Sequence, residues 1–308
     1  MLSEIDGLHH VTSMASDARA NNAFLTRTLG MRRIKKTVNF DAPEVYHLYY
    51  GDAAGTPGTV MTYFPFPGIG PRQRGTGEVG ATLFAVPAGG LDWWAARLAD
   101  AGVAGVAERG VLCERRLAFL GPDGDEFELA EAEDGREPWT EAGVPADAAI
   151  RGFRGVRLRL AEPGPTAELL GFMGYAEAEA DASVVRMVRP GGNGADVVEI
   201  ETPAGLGAAV QGAGSVHHVA FAVRDRAAQA AVRAALLSRG AQVTPVIDRD
   251  YFWAIYFRSP GGVLFEVATA EPGFDRDEDP AHLGEALKLP EQHAHMRAFL
   301  ERHLEPIE

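Results

Sequence analysis

The stretch Val-His-His-Val-Ala-Phe-Ala-Val at residues 216–223 decides the fold, because similar stretches recur at three other places in the chain. The other three are Leu-His-His-Val-Thr-Ser-Met (8–14), Val-Gly-Ala-Thr-Leu-Phe-Ala-Val (79–86) and Phe-Arg-Gly-Val-Arg-Leu-Arg-Leu (153–160). All four are strand-like in composition, and several alternate partly between apolar and other residues. Recurrence of this kind predicts a chain built from repeated units.

Each stretch is followed by a helix-like segment that ends near a glycine, and then by strands joined by a tight turn. The predicted helices are Asp17–Leu29, Leu91–Ala101, Thr166–Met173 and Arg226–Arg239. The turns, rich in the Pro and Gly that turns favour, are 56–59, 121–124, 190–193 and 259–262. This order predicts an α+β fold of four βαβββ modules, near 5–65, 78–132, 151–203 and 215–270. Four such modules are expected to form two cup-shaped half-barrel pairs, whose concave faces can bind a ligand.

The length of 308 residues suggests about two domains at roughly 150 residues per domain. We expect an N-terminal half at 1–150, made of two modules and a linker, and a C-terminal half of two modules at 151–270. The remaining 271–308 form an acidic tail that ends in a short helix, Glu291–His303.

The composition excludes several classes of protein. With 29 Lys and Arg against 43 Asp and Glu, the net charge of −14 argues against nucleic acid as a partner. No uncharged apolar run approaches the ~18 residues of a membrane span, and the N-terminus does not read as a signal peptide. The single cysteine, Cys113, rules out a disulfide framework and a Cys-rich zinc site, and we expect it to be a small buried residue. A reducing cytoplasm fits best, and a homo-oligomer stays open.

The nine histidines carry more information, because none lies between His47 and His217. Any site built from histidines must therefore join the two ends of the chain. His10 and His218 hold the same place in the first strands of modules one and four, and Glu266 lies on the last strand of module four. Two imidazoles and one carboxylate on one face form the facial triad of non-haem Fe(II) oxygenases, and Zn(II) or Mn(II) can occupy the same ligands.

Strand alternation selects one histidine from each pair. Successive side chains point to opposite faces, so His9 shares a face with Val11, and His217 shares one with Val219 and Phe221. We therefore expect His9 and His217 to face a packing layer.

The last hairpin of module four adds a further candidate. If residues 260–262 form a three-residue loop, Tyr256 lies directly opposite Glu266, on the same face. A phenol beside a metal can act as an acid–base group. A two-residue loop would instead pair Tyr256 with Phe265.

Several other candidates have simpler explanations. Glu128 occupies the place of Glu266 in module two, but Ala81 stands where His218 would be, so we expect no second site and an arginine partner or no role for Glu128. We expect His47 to support or pack rather than to bind a metal. The tail histidines are expected to be solvated: His282, His293, His295 and His303.

These residues lie in stretches that resemble the vicinal oxygen chelate superfamily, most closely its hydroquinone ring-cleaving dioxygenases of the (chloro)hydroquinone 1,2-dioxygenase type. The similarity spans nearly the whole chain, and its most specific block is Gly-Thr-Pro-Gly-Thr-Val-Met-Thr (55–62). The other stretches that carry it are 8–12, 46–50, 216–223, 260–266 and 273–279.

The resemblance implies that modules one and four pair, and that His10, His218 and Glu266 hold Fe(II). It places substrate-binding positions at His9, His217, Arg249 and Tyr256. Of these, Arg249 and Tyr256 would also act in catalysis, and Phe252 and Trp253 could shape the pocket.

The resemblance further implies an enzyme that opens the ring of a 1,4-dihydroxybenzene, with a small aromatic substrate and O₂ as partners. Three alternatives stay open: a catechol-type extradiol dioxygenase, a glyoxalase-like metal-dependent isomerase or lyase, and a metal-free small-molecule binding protein. The intact triad argues against the last, because a binding protein has no need of three metal ligands.

Overall fold

The four repeated stretches form the central strands of two curled sheets in the computed structural model, which describes residues 1–308. In chain order the strands are β1 (Ile5–Ala15), β2 (Arg32–Val38), β3 (Tyr46–Gly51), β4 (Val60–Pro65), β5 (Glu78–Val86), β6 (Ala107–Val111), β7 (Glu114–Leu120), β8 (Glu126–Glu131), β9 (Gly152–Arg159), β10 (Ala176–Ala180), β11 (Val184–Val188), β12 (Val197–Glu201), β13 (Val216–Val223), β14 (Ile247–Asp248), β15 (Phe252–Arg258) and β16 (Leu264–Pro272).

Each sheet has eight strands and combines two modules. The first has the order β14-β15-β16-β13-β1-β4-β3-β2, so modules four and one meet where β13 runs antiparallel to β1. The second has the order β10-β11-β12-β9-β5-β8-β7-β6 and joins modules three and two through β9 and β5. The predicted fold class is therefore confirmed, and so is the pairing of the first module with the last. The division of the chain at 150/151 and 270/271 stays a prediction.

One helix follows the first strand of each module, as predicted. Asp17 and Asp225 begin the first and last of them, because each carboxylate accepts a hydrogen bond from a backbone N–H three residues on, at 2.8 and 2.9 Å. The helices are α1 (Ala18–Ala23, continued by a π-helical turn at Phe24–Thr28), α2 (Gly90–Asp100), α3 (Gly164–Phe172), α4 (Arg226–Ser238) and α5 (Arg297–His303). None of them combines the length and the apolar character that a membrane crossing needs.

Aromatic side chains join the two sheets into one core. Phe24, in the turn after α1, stacks on Phe127 of β8 with ring centroids 6.0 Å apart. Tyr175 makes an edge contact with Phe221 of β13 at 6.0 Å, so modules three and four are joined in the same way. The sheets are thus held together by buried apolar area, which is the main stabilising contribution to such an interface.

The C-terminal tail packs along module one. Lys35 of β2 is fully buried and pairs with Asp277 (2.7 Å) and Glu278 of the tail. Ile307 is also buried. The predicted helix at Glu291–His303 is a 3₁₀ segment over Glu291–Met296 that continues as α5.

Two expectations about single residues were wrong. Cys113 is exposed, because it forms the two-residue turn of the β6–β7 hairpin with Leu112; both have positive φ, as such turns require. His293 is only half exposed, and its Nε2 lies 2.9 Å from the carbonyl oxygen of Phe40. The other tail histidines are exposed.

A buried cluster of charges fills the second sheet at the place that the histidines occupy in the first. Arg116, which is fully buried, donates to Glu199 (2.6 Å) and to Glu128 (3.0 Å). Arg157 donates to the same two carboxylates at 3.0 and 2.7 Å. Burial alone would raise the pKa of Glu199, but the guanidinium groups of Arg116, Arg157 and Arg186 outweigh it and lower the pKa to about 2. Glu128 therefore has arginine partners, as one of the two predicted outcomes requires.

Removing Arg116 should cost much of the stability of the fold. We expect Arg116→Ala to lower the free energy of unfolding by about 3–5 kcal/mol, because it leaves Glu128 and Glu199 buried with less compensating charge. Urea denaturation measures the change. The adjacent Arg115, which is exposed, is the matched control, and Arg115→Ala should change nothing measurable. Equal effects of the two substitutions would contradict a stabilising role for the buried cluster.

Candidate functional site

The candidate site lies on a single row of residues that crosses the first sheet. His10 of β1 pairs with Ala220 of β13, which pairs with Glu266 of β16, which in turn pairs with Tyr256 of β15. Of the two loop lengths that the sequence left open, this register shows the three-residue loop at 260–262. Ala220 has only a methyl group, so the longer side chains on either side of it can converge above the sheet. His218 stands two residues before Ala220 and therefore shares its face.

The side chains of His10, His218 and Glu266 do converge. Each offers one ligand atom, and the three atoms lie within 4.8 Å of one another in a buried position. The Nε2 atoms of the two imidazoles are 3.2 Å apart, and Glu266 Oε2 lies 2.9 Å from His218 Nε2 and 3.4 Å from His10 Nε2. The topology thus brings together residues that are 208 positions apart in the chain.

The carboxylate of Glu266 supports a divalent cation at this point. Its side chain is fully buried, yet neither oxygen accepts a well-directed hydrogen bond. An unpartnered buried carboxylate is costly, so a positive partner is expected beside it. Two imidazoles and one carboxylate are a donor set that suits Fe(II), Zn(II) or Mn(II), and the residues present therefore fit the predicted group.

Hydrogen bonding by His9 fixes which nitrogen of His10 is bare. His9 Nε2 lies 3.1 Å from the carbonyl oxygen of Thr269, which can only accept, so His9 carries its proton on Nε2. Burial, with a further contribution from His10, lowers the pKa of His9 to about 3, so its ring is neutral and its Nδ1 can only accept. His10 Nδ1, 2.9 Å away, must then donate, so a neutral His10 ring has its lone pair on Nε2, which faces Glu266 and His218.

The second histidine pair repeats this contact. His217 Nδ1 lies 2.7 Å from His218 Nδ1. Burial lowers the pKa of His217 to about 4 and, outweighing Glu266, also lowers the pKa of His218, so both rings are neutral at pH 7. If His218 keeps Nε2 bare for a metal, His217 accepts at Nδ1 and carries its own proton on Nε2.

Burial and the two neighbouring imidazoles have opposite effects on the pKa of Glu266. Burial alone would raise the pKa of this carboxyl group, but His10 and His218 in their protonated forms outweigh burial and hold the pKa well below its ordinary value. With both imidazoles neutral, a bound cation would supply the same positive charge. The group is therefore ionised when a cation would bind.

Tyr256 and Arg249 form a pair at the edge of the same row. Arg249 Nε donates to the Tyr256 hydroxyl at 3.2 Å. Burial raises the pKa of Tyr256 well above its ordinary value, and Glu266 raises it further against the opposing effect of Arg249. The phenol is therefore protonated at neutral pH, and the guanidinium of Arg249 lies beside it.

These side chains face a cavity of about 500 Å³. Its aromatic lining includes Phe40, Phe64, Phe66 and Phe252, and a flat apolar ring would stack well there. Trp253 is not part of the lining; strand alternation places it on the other face of β15, beneath the guanidinium of Arg226 at 4.7 Å.

The structure brings most of the sequence-predicted site residues to this cavity, with one exception. The predicted residues that line it are His10, His217, His218, Arg249, Tyr256 and Glu266. The expectation from strand alternation that His217 faces a packing layer was therefore wrong. His9 does not line it, because its ring is buried against Phe252 and bonds to Thr269. The geometry assigns His9 to holding His10 rather than to touching a ligand.

A chain of buried polar groups on module one was not singled out as a unit from the sequence. His47 lines the cavity; its Nδ1 lies 2.8 Å from the Tyr49 hydroxyl and its Nε2 lies 2.9 Å from Thr62 Oγ1. The chain extends to Thr12, whose Oγ1 lies 3.0 Å from Thr62 Oγ1. Thr62 pairs with Thr12 in module one just as Glu266 pairs with Ala220 in module four. Aligning the repeated modules could therefore have identified this polar chain from the sequence.

Comparisons with known proteins agree with this geometry. The family model described as "Glyoxalase/Bleomycin resistance protein/Dioxygenase superfamily" matches residues 7–129 and 155–267. The chain is similar to "Putative ring-cleaving dioxygenase MhqE" of Bacillus subtilis, with 40% identity over 98% of this chain and 97% of that protein. It is also similar to "Chlorohydroquinone/hydroquinone 1,2-dioxygenase" of Sphingobium indicum, with 37% identity over 94% of this chain and 92% of that protein.

Solved structures show the same fold. A Bacillus subtilis crystal structure described as a "putative dioxygenase" superposes with a TM-score of 0.95 at 38% identity, covering 99% of this chain and 98% of that chain. Glyoxalase I from Zea mays superposes with a TM-score of 0.65 at 15% identity, covering 86% of this chain and 92% of that chain, which is a likeness of fold alone.

Loss of the His9 ring should weaken metal binding although His9 is not a ligand. We expect His9→Ala to lower the affinity for Fe(II) by about 10–100-fold, because His10 Nδ1 loses its acceptor and its tautomer is no longer fixed. Anaerobic calorimetry with Fe(II) measures the affinity. His9→Gln, whose amide oxygen can accept from His10, should recover part of the loss, and His295→Ala in the exposed tail is the control. Unchanged Fe(II) affinity in His9→Ala would refute the assignment.

Proposed function

This chain belongs to the Glyoxalase/Bleomycin resistance protein/Dioxygenase superfamily, and from that premise we propose that it is a non-haem Fe(II) dioxygenase that opens the ring of a 1,4-dihydroxybenzene. One observation carries the proposal. The ligand atoms of His10, His218 and Glu266 converge within 4.8 Å in an aromatic-lined cavity, and the buried carboxylate of Glu266 accepts no well-directed hydrogen bond. A similar protein is named as acting on hydroquinone, which supports the substrate class.

We propose that His10, His218 and Glu266 hold the iron. Iron held by these three residues would supply the redox chemistry that activates O₂ toward an aromatic diol. Both oxygen atoms enter the product as the ring opens beside a hydroxyl-bearing carbon.

The protein orients the substrate by stacking and hydrogen bonding. Phe252 packs against His10, with ring centroids 5.0 Å apart, and forms one wall of the cavity. Phe64 contacts His217 at 5.8 Å and forms another. We propose that His217 donates from Nε2 to a substrate hydroxyl. Holding a ring in one orientation in this way lowers the barrier by removing rotational freedom before the reaction.

Tyr256 and Arg249 would manage charge and protons. The Tyr256 phenol keeps its proton at neutral pH and can donate it to oxygen that becomes negative during the reaction. The adjacent guanidinium of Arg249 stabilises the same negative charge from a fixed position, without the reorganisation that water would need.

Oxygen uptake by the Fe(II)-loaded protein tests the proposal. We expect uptake with hydroquinone, and little or none with catechol or a hemithioacetal. Glu266→Gln should lose more than about a hundredfold in kcat/KM because it removes the charged ligand. Glu271→Gln, at an exposed position of the same strand, is the matched control and should behave as the wild type.

Other outcomes of this experiment identify the alternatives. Uptake with catechol in place of hydroquinone indicates the extradiol reaction, and turnover of the hemithioacetal without O₂ indicates an isomerase. An Fe(II)-free protein that binds hydroquinone unchanged after His10→Ala would be a binding protein, and the dioxygenase proposal would fail.

Substitution of Tyr256 separates proton donation from binding. We expect Tyr256→Phe to lower kcat by roughly 10²–10⁴-fold, the usual size of general acid catalysis, with a smaller effect on KM. Because the raised pKa keeps the phenol protonated between about pH 6 and 9, the pH profiles of kcat in wild type and variant should have the same shape. Loss of a titration step in the variant would show that Tyr256 ionises in this range and would contradict the assigned role.

A further inference from the structure

A second cavity of about 610 Å³ lies beside the aromatic one, at the junction of the two sheets. Its walls come from the start of β5, from the connection between modules three and four, and from the β15–β16 hairpin. The lining includes residues 76–79, residues 208, 209 and 211, and residues 260–264, with Glu162 after β9 at one side. Clefts between packed units are the places where proteins most often bind small molecules.

The two cavities share part of their walls. Gln211, His217 and Leu264 line both. His217 also contacts the candidate ligand His218 directly, so the shared wall stands next to the candidate metal centre. The two cavities are therefore neighbours across these three side chains, and an arm on a ring bound in the first would have to pass them to enter the second.

Hydrogen bonds hold the walls of the second cavity in place. Gly77 N donates to the carbonyl of Arg159 at 2.7 Å, and Ala209 N donates to the carbonyl of Thr76 at 2.9 Å. The hairpin is tied to α3 by a bond from Gly261 N to Thr166 Oγ1 at 3.0 Å. The cavity is therefore preformed, which reduces the entropy that a ligand must lose on binding.

We propose that the second cavity binds a polar substituent of the substrate, so that the natural substrate is a dihydroxybenzene with an arm rather than a bare ring. This inference rests on the dioxygenase function proposed above. The size of the space supports it: each cavity alone lies in the range of about 300–1,000 Å³ that proteins use for drug-sized ligands, and a bare dihydroxybenzene is much smaller than such a ligand.

The lining indicates the chemistry of the arm. Its polar side chains include Thr76, Gln211 and Ser215, so hydrogen-bonding groups are available beside the apolar part of the lining. Glu78 is neutralised by Arg159 at 2.6 Å.

The two remaining charges of the lining are both exposed. They are Glu162 and Arg258, which have opposite signs. An uncharged arm with hydroxyl, ether or amide groups fits this balance better than an alkyl chain or an ion.

Three matched hydroquinones test the proposal on the Fe(II)-loaded, full-length protein. One is unsubstituted, one carries an amide-linked arm that ends in a hydroxyl group, and one carries an alkyl arm of equal length. Oxygen uptake gives kcat/KM, and anaerobic calorimetry gives Kd. We expect the polar arm to raise kcat/KM and to tighten Kd at least tenfold relative to both other compounds.

A pair of tryptophan substitutions assigns the effect to the second cavity. Ala209 lines this cavity, so Ala209→Trp should reduce the ratio of kcat/KM for the polar-arm compound over hydroquinone to near one. Ala204, exposed in the same connection and outside both linings, is the control, and Ala204→Trp should keep the wild-type ratio.

Equal kcat/KM for the bare and polar-arm compounds in the wild type would overturn the inference, and so would an advantage that survives Ala209→Trp. Failure of the dioxygenase function looks different, because no hydroquinone would then consume O₂. In that case the Kd values still decide whether the arm binds, since the polar-arm compound must bind more tightly than the alkyl one and must lose this advantage in Ala209→Trp.

Discussion

The site depends on one buried negative charge. Glu266 is fully removed from water, and its carboxylate oxygens have no well-directed hydrogen-bond donor. A buried carboxylate must be neutralised, and the groups that face it are the Nε2 atoms of His10 and His218. The hydrogen bond that His9 accepts places a proton on His10 Nδ1, so a neutral His10 offers Glu266 a lone pair at Nε2 instead of a donor. A cation between the three ligands would stabilise this arrangement, and the pairing of β13 with β1 is what brings the ligands together.

The second sheet also contains buried carboxylates, but arginine side chains neutralise them. Glu128 and Glu199 are buried at the corresponding places, and there the positive charge comes from Arg116, Arg157 and Arg186. A guanidinium donates directed hydrogen bonds in several directions and so leaves no carboxylate unpartnered. The two sheets therefore share a topology but not a chemistry: one holds a candidate reaction centre and the other a structural ion cluster.

Much of the fold and of the candidate site was predictable from the sequence, because aligning the four repeated stretches shows which residues occupy equivalent positions. The four similar stretches fix the modules, and the gap between His47 and His217 requires the first and last modules to meet. The Tyr256–Glu266 pair follows from the length of one turn. Local irregularities were not predictable. The pairing of β1 shifts between Leu8 and His10, and there His9 contacts both Thr269 and His10, a placement that simple alternation cannot give. The arginine cluster and the second cavity depend on long side chains and on loops from several modules, which no local pattern specifies.

The most direct measurement is anomalous diffraction at the iron edge from crystals of the Fe(II)-loaded protein grown without oxygen. We predict one strong peak per chain, bound by His10 Nε2, His218 Nε2 and a carboxylate oxygen of Glu266 at about 2.0–2.2 Å, as metal–imidazole and metal–carboxylate bonds require. No peak should lie among Arg116, Glu128 and Glu199. A peak at any other group of side chains, or an iron-loaded crystal with none at this one, would contradict the account.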